Sequence, residues 1–225
     1  MEWKNLYTDW EELDHEWKVI FELSLKSYCE GNLPIAAIIT DYEGNILSSG
    51  RNHLYDSERF PNPRVKHAET ECIQQLDVRK YTNLRDYTLY TSLEPCPMCM
   101  GTIIMGNIKK VRVAAKDGWA GATDLCDKSA YMRGKKTDIQ FINHIYTDVS
   151  MTLLCYAEMR RRSIDNPVIL QYKSDYPEAF EAAIELYEGN MLVQEVIDKK
   201  TVEEVYHLIL SQVQMTARSA SEIEF

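Results

Sequence analysis

The chain has 225 residues, of which 45% are hydrophobic, and a formal net charge of -10 at pH 7. This composition describes a globular protein with one domain of ordinary size and an appendage. Its apolar runs are far shorter than the roughly 20 residues of a membrane-spanning helix, and its start lacks the apolar core of a signal peptide. We therefore expect a cytoplasmic protein that does not contact membranes.

The first part of the chain alternates helical and extended patterns. Thr8 to Glu11 has the form of a capping box and opens an amphipathic helix that ends near Gly31. The patterns that follow predict strands at 34–40 and 46–49, a helix at 67–76, a strand at 87–91, a helix at 97–105 and a strand at 110–115. Strands that alternate with helices indicate an α/β layer structure.

The second part of the chain becomes almost entirely helical. A loop with a short helix is predicted at 117–136, a fifth strand at 139–142 and a helix at 150–161. In the segment that follows Pro167, Glu178 lies three residues after Asp175 and Glu204 three residues after Thr201, a spacing that is typical of helix starts. We predict a three-layer α/β/α sandwich around a mixed five-stranded sheet within a domain of residues 1–165, followed by an acidic helical extension at 166–225.

The negative charge is concentrated in the predicted extension. Residues 166–225 contain 11 acidic and four basic side chains, whereas residues 1–165 contain 24 and 21. A surface of this sign repels phosphate backbones, which disfavours a nucleic-acid partner.

Six cysteines are present. Without an export signal, burial and metal binding are better interpretations than disulfides. We expect Cys29, Cys72 and Cys155 to be buried or partly buried thiols.

Two short motifs carry the candidate chemistry, His67-Ala68-Glu69 and Pro95-Cys96-Pro97-Met98-Cys99. Together they supply three zinc ligands and one further carboxylate. Structural zinc is closed by four protein ligands, whereas catalytic zinc keeps a position for water. The ligand count therefore favours metal-assisted hydrolysis.

The predicted helix starts strengthen this interpretation. Pro97 suits the first position of a helix, and the spacing of Cys96 and Cys99 places both sulfurs on one face, where the helix dipole favours thiolates. Glu69 points to a different side from His67 and is free to carry protons. Each motif alone is weak evidence, because a lone Cys-x-x-Cys also fits structural zinc or a redox pair, but their joint occurrence is specific.

At these residues the sequence resembles the cytidine deaminase-like superfamily of zinc-dependent deaminases. The similarity is greatest to the branch of guanine deaminases, tRNA adenosine deaminases and fungal-type cytosine deaminases. It extends from roughly residue 10 to 162 and includes the segments 91–99, 115–122 and Gly50-Arg51-Asn52. The resemblance implies that His67, Cys96 and Cys99 bind Zn2+ and that Glu69 moves protons.

The resemblance also implies substrate contacts. Asn52 and the backbone amide of Ala68 are expected to bind the base; the alternative for Asn52 is a polar residue that ends a strand. Asp117 matches a position of substrate contact in related enzymes, although a cap at the end of a strand is an equal alternative. Trp119 either lines the pocket or fills the core.

The resemblance implies a hydrolytic deaminase that releases ammonia from a small nucleobase or nucleoside of the guanine or cytosine type, acting as a homo-oligomer such as a dimer. A tRNA-specific adenosine deaminase is one alternative, and it is less favoured because of the acidic charge and because residues 62–66 depart from the family's Asp-Pro-Thr-Ala. A catalytically silent partner protein with structural zinc is another. Glu69 argues against it, since a structural site does not need a carboxylate beside an open position.

Overall fold

The computed structural model describes residues 9–142 and 145–223. The chain divides into two compact units, a site unit, Val19–Asn143, and a helical unit, Met1–Lys18 with His144–Phe225. The helices are α1 (His15–Cys29), α2 (Ala68–Gln75), α3 (Pro97–Met105), α4 (Ala130–Lys135), α5 (Ile145–Met159), α6 (Pro167–Asp175), α7 (Pro177–Glu188), α8 (Gln194–Ile197) and α9 (Val202–Ile223). The strands are β1 (Ala36–Thr40), β2 (Ile46–Arg51), β3 (Thr88–Leu93), β4 (Lys110–Ala115) and β5 (Asp138–Phe141).

The five strands form one mixed sheet in the order β2-β1-β3-β4-β5. β1 is antiparallel to both β2 and β3, whereas β4 is parallel to β3 and to β5. The chain therefore leaves β2, β3 and β4 at the same edge of the sheet. Asn52 follows β2, Glu94 follows β3 and Lys116 follows β4. Residues from three separate segments, among them the candidate Asn52, therefore lie at this edge.

Apolar side chains from the strands and from α2 and α3 form the core beneath this edge. Every residue of β1 is buried, whereas β3 and β4 alternate only in their first halves and are buried throughout their last three residues. The cluster includes Ala37, Ile39, Leu89, Val111 and Val113 from the sheet, Ala68 and Cys72 from α2, and Met100, Ile103 and Ile104 from α3. Helix starts and strand ends are thus fixed on one packed core.

The start of α1 differs from the prediction. Thr8 lies outside the described residues, and Asp9 caps a 3-10 turn, Trp10–Glu12, by accepting a hydrogen bond from the Trp10 amide. The backbone of Leu13 is extended, which ends this turn before α1 begins at His15. The predicted amphipathic helix is therefore interrupted near its start.

The helical unit contains α5 to α9. At α9 the predicted capping box is present, since the Thr201 hydroxyl accepts from the Glu204 amide and the Glu204 carboxylate accepts from the Thr201 amide. At α7 the predicted cap is wrong, because α6 continues through Asp175 and Tyr176 takes the cap position without a side-chain bond. None of the helices among the described residues is both long and apolar enough to cross a membrane.

The predicted fold class is confirmed, with a mixed five-stranded sheet flanked by helices and a helical region after it. The compact units do not coincide with the boundary predicted after residue 165, because α5 belongs to the same unit as the later helices. As a division of function, that boundary stays a prediction. No disulfide joins the six cysteines, and Cys72 and Cys155 are buried while Cys29 is partly buried, as expected.

Candidate metal centre and active site

Two helix starts bring the three predicted metal ligands together. His67 is the N-cap residue of α2 and Cys96 that of α3, where Pro97 occupies the first helical position. Cys99 lies in the first turn of α3. The ligand atoms of His67, Cys96 and Cys99 all lie within 4.8 Å of one another. Local capping geometry therefore builds this cluster at the sheet edge.

The spacing of these atoms fits Zn2+. The Cys96 Sγ lies 3.5 Å from the His67 Nδ1. Ligands of a tetrahedral zinc lie roughly 3.5 Å apart, because Zn–S distances are about 2.3 Å and Zn–N distances about 2.0 Å. Three protein ligands leave a fourth coordination position for water or substrate, which is the pattern of a catalytic site.

The contact between the two sulfurs moves the pKa values of Cys96 and Cys99 in opposite directions. The contact with Cys99, supported by His67, lowers the pKa of Cys96 to about 4. The same contact, together with burial, raises the pKa of Cys99 far above its usual range. Two adjacent thiolates, one buried and one partly buried, repel each other, and a divalent cation is the group that stabilises both, since the thiolate is the form that binds metal.

Glu69 stands beside the ligand cluster without belonging to it. It lies on the first turn of α2, and its side chain is 4% exposed. Burial raises the pKa of its carboxyl group above the ordinary value. A buried carboxyl with a raised pKa holds a proton more readily than a free carboxyl, which suits an acid and base catalyst.

Gly50 allows α2 to lie directly on β2. A Cβ atom at this position would lie 2.2 Å from the Ala68 carbonyl oxygen and 2.5 Å from the Cys72 amide nitrogen. Both are backbone atoms of α2 that cannot move independently of the helix. The glycine of the Gly50-Arg51-Asn52 motif therefore sets how closely α2 approaches the strand that precedes Asn52.

Asn52 is held by three hydrogen bonds and is 2% exposed. Its backbone amide donates to the Ile35 carbonyl, and its carbonyl accepts from the Ser27 hydroxyl. Its side-chain Oδ1 accepts from the Leu54 amide at 2.9 Å. The acceptor end of the side chain is thus occupied, and the Nδ2 amino group remains as the donor end.

Asp117 caps the loop that follows β4. Its Oδ1 accepts hydrogen bonds of 3.0 Å from the amides of Trp119 and Ala120, and burial raises the pKa of its carboxyl group. The alternative that Asp117 ends the strand as a cap is therefore confirmed, and its contact with substrate stays a prediction. Trp119 is 56% exposed, so the alternative that it fills the core is wrong.

Glu94 is a buried residue of the site that the motifs did not reveal. Its Oε1 accepts from the amide and the hydroxyl of Thr123, at 3.1 and 2.5 Å, and its Oε2 accepts from the Asp117 amide at 3.2 Å. Gly121 faces it so closely that a Cβ there would lie 2.4 Å from Glu94 Cδ. The sequence carries one signal of this role, an acidic residue that ends an apolar strand two positions before a metal ligand.

Known proteins are similar to this part of the chain. The family described as the cytidine and deoxycytidylate deaminase zinc-binding region matches residues 12–115. A cytosine deaminase of Candida albicans is 29% identical over 94 residues, which are 42% of this chain and 60% of that protein. A tRNA-specific adenosine deaminase of Haemophilus influenzae is 34% identical over 103 residues, which are 45% of this chain and 57% of that protein.

A solved structure shares the fold. A protein in complex with 2,6-diaminopurine is 20% identical, with a TM-score of 0.52, over 67% of this chain and 84% of that chain. This likeness concerns the fold alone. The chain spans between half and two thirds of the length of the two deaminases named above.

Proposed function

We propose that this chain, which belongs to the cytidine deaminase-like superfamily, is a zinc-dependent hydrolytic deaminase of a small nucleobase or nucleoside. The substrate is of the guanine or cytosine type, and ammonia is released. The observation that carries the proposal is the combination of three convergent metal ligands with the separate, buried carboxyl of Glu69. A structural zinc site has no use for that carboxyl.

His67, Cys96 and Cys99 would hold the metal. When bound, zinc lowers the pKa of a coordinated water to near neutrality and so supplies a nucleophile. The starts of α2 and α3 fix the ligands because all three belong to helix caps or first turns.

Glu69 moves the protons of the reaction. Hydrolytic deamination requires one proton to reach a ring nitrogen and another to reach the departing amine. Glu69 can relay both from the attacking water, because burial raises the pKa of its carboxyl group above the ordinary value and so makes it a better proton acceptor than a free carboxylate. Its burial on the first turn of α2 excludes bulk water from these transfers.

Asn52 and Ala68 present hydrogen-bond donors to the base. The Asn52 Oδ1 is occupied by Leu54, so its Nδ2 would donate to a carbonyl oxygen or an unprotonated ring nitrogen. Ala68 is the first residue of α2, where backbone amides have no partner within the helix. The donors of Asn52 and Ala68 suit bases with a carbonyl group, such as guanine and cytosine. Asp117 would contact an N–H group of the same base.

The acidic charge of the chain favours a small substrate over a nucleic acid. The alternative is a tRNA substrate, which is supported by the similarity to the tRNA-specific adenosine deaminase of Haemophilus influenzae. Residues 62–66 of this chain, Asn-Pro-Arg-Val-Lys, lie directly before His67 and set the substrate class that can enter.

Zinc content and ammonia release test the proposal. The purified chain is expected to hold one zinc per chain and to release ammonia from at least one member of a panel of guanine, cytosine, adenine, their nucleosides and tRNA. Glu69→Ala is expected to keep zinc and to lose at least about 100-fold in rate, since general acid and base catalysis supplies about 10²–10⁴. Exposed Glu22→Ala serves as the control.

Each outcome separates the alternatives. Ammonia from tRNA alone would favour the tRNA-specific enzyme. Zinc retention without ammonia from any member of the panel, and without any effect of Glu69→Ala, would favour the silent partner protein.

A further inference from the structure

A buried network joins α2 to the residues on both sides of Asn52. Glu71 lies on the first turn of α2, two residues after Glu69. Its Oε2 accepts a 2.7 Å hydrogen bond from the Arg51 amide, and its Oε1 lies 3.3 Å from the His53 Nε2. One carboxylate thus contacts both residues that flank the proposed base-binding asparagine.

The loop that follows Asn52 is organised by the same histidine. The ends of the segment 53–66 are joined by a 2.9 Å hydrogen bond from the His53 amide to the Lys66 carbonyl. Inside it, the His53 ring meets the edge of Phe60, and its Nδ1 lies 3.5 Å from Asp56 Oδ2. A compact loop with joined ends, packed by its own side chains, is an Ω-loop, a type that is frequently functional.

This loop runs from Asn52 to His67, so its base is flanked by a proposed substrate contact and a proposed metal ligand. A shift of α2 relative to β2 would change the distance between Glu69 and Asn52. Gly50 sets the approach of the two elements sterically, but a steric contact prevents only closer approach. The hydrogen bond from the Arg51 amide to Glu71 opposes separation of the two elements, and the contact of Glu71 with His53 lies beside it.

We propose that Glu71 is a positioning residue that, together with His53, clamps Asn52 to the catalytic helix and fixes the base-binding amide relative to Glu69. The inference rests on the proposed deaminase function, because Asn52 and Glu69 have their roles in that reaction. Neither Glu71 nor His53 belongs to the ligand cluster, so the clamp acts on substrate binding and leaves metal binding intact.

Two variants and a matched control test the clamp. Glu71→Ala removes both contacts, whereas Glu71→Gln keeps a carbonyl oxygen for the Arg51 amide and restores part of the function. Glu30→Gln is the control, since Glu30 pairs with the guanidinium group of the same Arg51 and leaves its backbone amide untouched.

The readouts are zinc content, the separate values of KM and kcat for the most active substrate of the panel, and hydrogen exchange of the Arg51 amide. In Glu71→Ala we expect full zinc content, a KM raised about tenfold or more, and Arg51 exchange about tenfold faster, because the only described partner of that amide is lost. Glu71→Gln should fall between this variant and the wild type, and Glu30→Gln should differ from the wild type less than twofold.

Unchanged KM in Glu71→Ala, or an effect that Glu30→Gln reproduces, would overturn the proposal. Loss of zinc would also overturn it, because Glu71 would then act on the metal centre or the fold. If Glu71→Ala does not fold, Glu71→Gln and His53→Gln decide, and unchanged KM in both overturns the clamp. If the wild type releases no ammonia, the proposed function fails, and Arg51 exchange alone then tests the clamp, which unchanged exchange would overturn.

Discussion

Each compact unit contains an acidic side chain that is largely removed from water, and the two differ in their hydrogen-bond partners. Glu94 is buried, and Asp148 is partly buried. Glu94, in the site unit, accepts three hydrogen bonds from Asp117 and Thr123. Asp148, in the helical unit, accepts none within the described part of the chain, and the charge that acts on it is the carboxylate of Glu178. A polar group that moves from water into a protein loses its hydrogen bonds to water and needs new hydrogen bonds as compensation. The site unit supplies it for Glu94, and the described residues of the helical unit do not supply it for Asp148.

The difference indicates what each carboxylate does. Glu94 organises the loop that carries Asp117, so its burial serves the site. Asp148 lies within α5, where burial and Glu178 raise the pKa of its carboxyl group to about 6. Its ionised form therefore destabilises the fold. Removal of each carboxylate should have opposite effects on stability.

The largest effect is expected for Glu94→Ala. The change leaves three donors without a partner in a buried loop, at about 1–3 kcal/mol each before relaxation. We expect the free energy of unfolding in urea to fall by about 3–5 kcal/mol. Ammonia release should fall with it, because the loop no longer places Asp117. Exposed Glu22→Ala should change neither quantity, and an equal effect of both variants would contradict the role of Glu94.

A smaller effect is expected for Gly121→Ala, which measures how closely Glu94 is held. The added Cβ would lie 2.4 Å from Glu94 Cδ and 2.5 Å from the Asp117 carbonyl oxygen. Overpacking of this kind costs about 1–3 kcal/mol. Gly101→Ala is the matched control, since a Cβ there meets nothing within 4 Å and alanine favours the helix.

The combination of the two substitutions sharpens this test. In the background of Glu94→Ala, the carboxyl atoms that crowd Gly121 are absent. Gly121→Ala should then cost less than it does in the wild type, as denaturant titrations of the four proteins in the cycle would show. Strict additivity would mean that the Asp117 backbone alone causes the conflict.

Much of the fold followed from local patterns. The predicted bounds of α3 and β4 match the structure, because Pro97 marks the helix start and an apolar strand follows Lys109. The start of α1 did not follow, because the helical spacing of apolar residues continues through Leu13, where the backbone is extended. Periodicity records which side chains face a core and does not record a local break in the backbone.

The candidate site shows the same limit. The convergence of His67, Cys96 and Cys99 could be predicted because their motifs are short and lie at helix starts. The roles of Glu94 and Glu71 could not, because their partners lie 18 to 29 residues away along the chain and meet them only when α2, β2 and the loop after β4 are in place. Glu94 carries one weak signal, its place two positions before Cys96 at the end of an apolar strand, and Glu71 carries none.

Asp148→Asn tests the helical unit's part of the comparison between Glu94 and Asp148. This substitution is expected to stabilise the fold. The carboxyl group has a pKa of about 6 in the folded chain and an ordinary value of 3.8. As the pH rises from about 4 to 6, the unfolded chain loses this proton first, so the penalty develops across this window and is complete above it. Below pH 4 both states are protonated, and the penalty is absent.

Replacement by asparagine removes the charge and keeps the shape of the side chain. The difference between a pKa of about 6 and the ordinary value of 3.8 corresponds to about 3 kcal/mol of stability, which partial exposure reduces to about 1–2 kcal/mol. Urea unfolding of Asp148→Asn and of the wild type should therefore differ by this amount at pH 7 and converge towards pH 4. Exposed Asp165→Asn should show no such pH-dependent gain. A loss of stability at pH 7 in Asp148→Asn would mean that the carboxylate is compensated after all, and the contrast between the two units would fail.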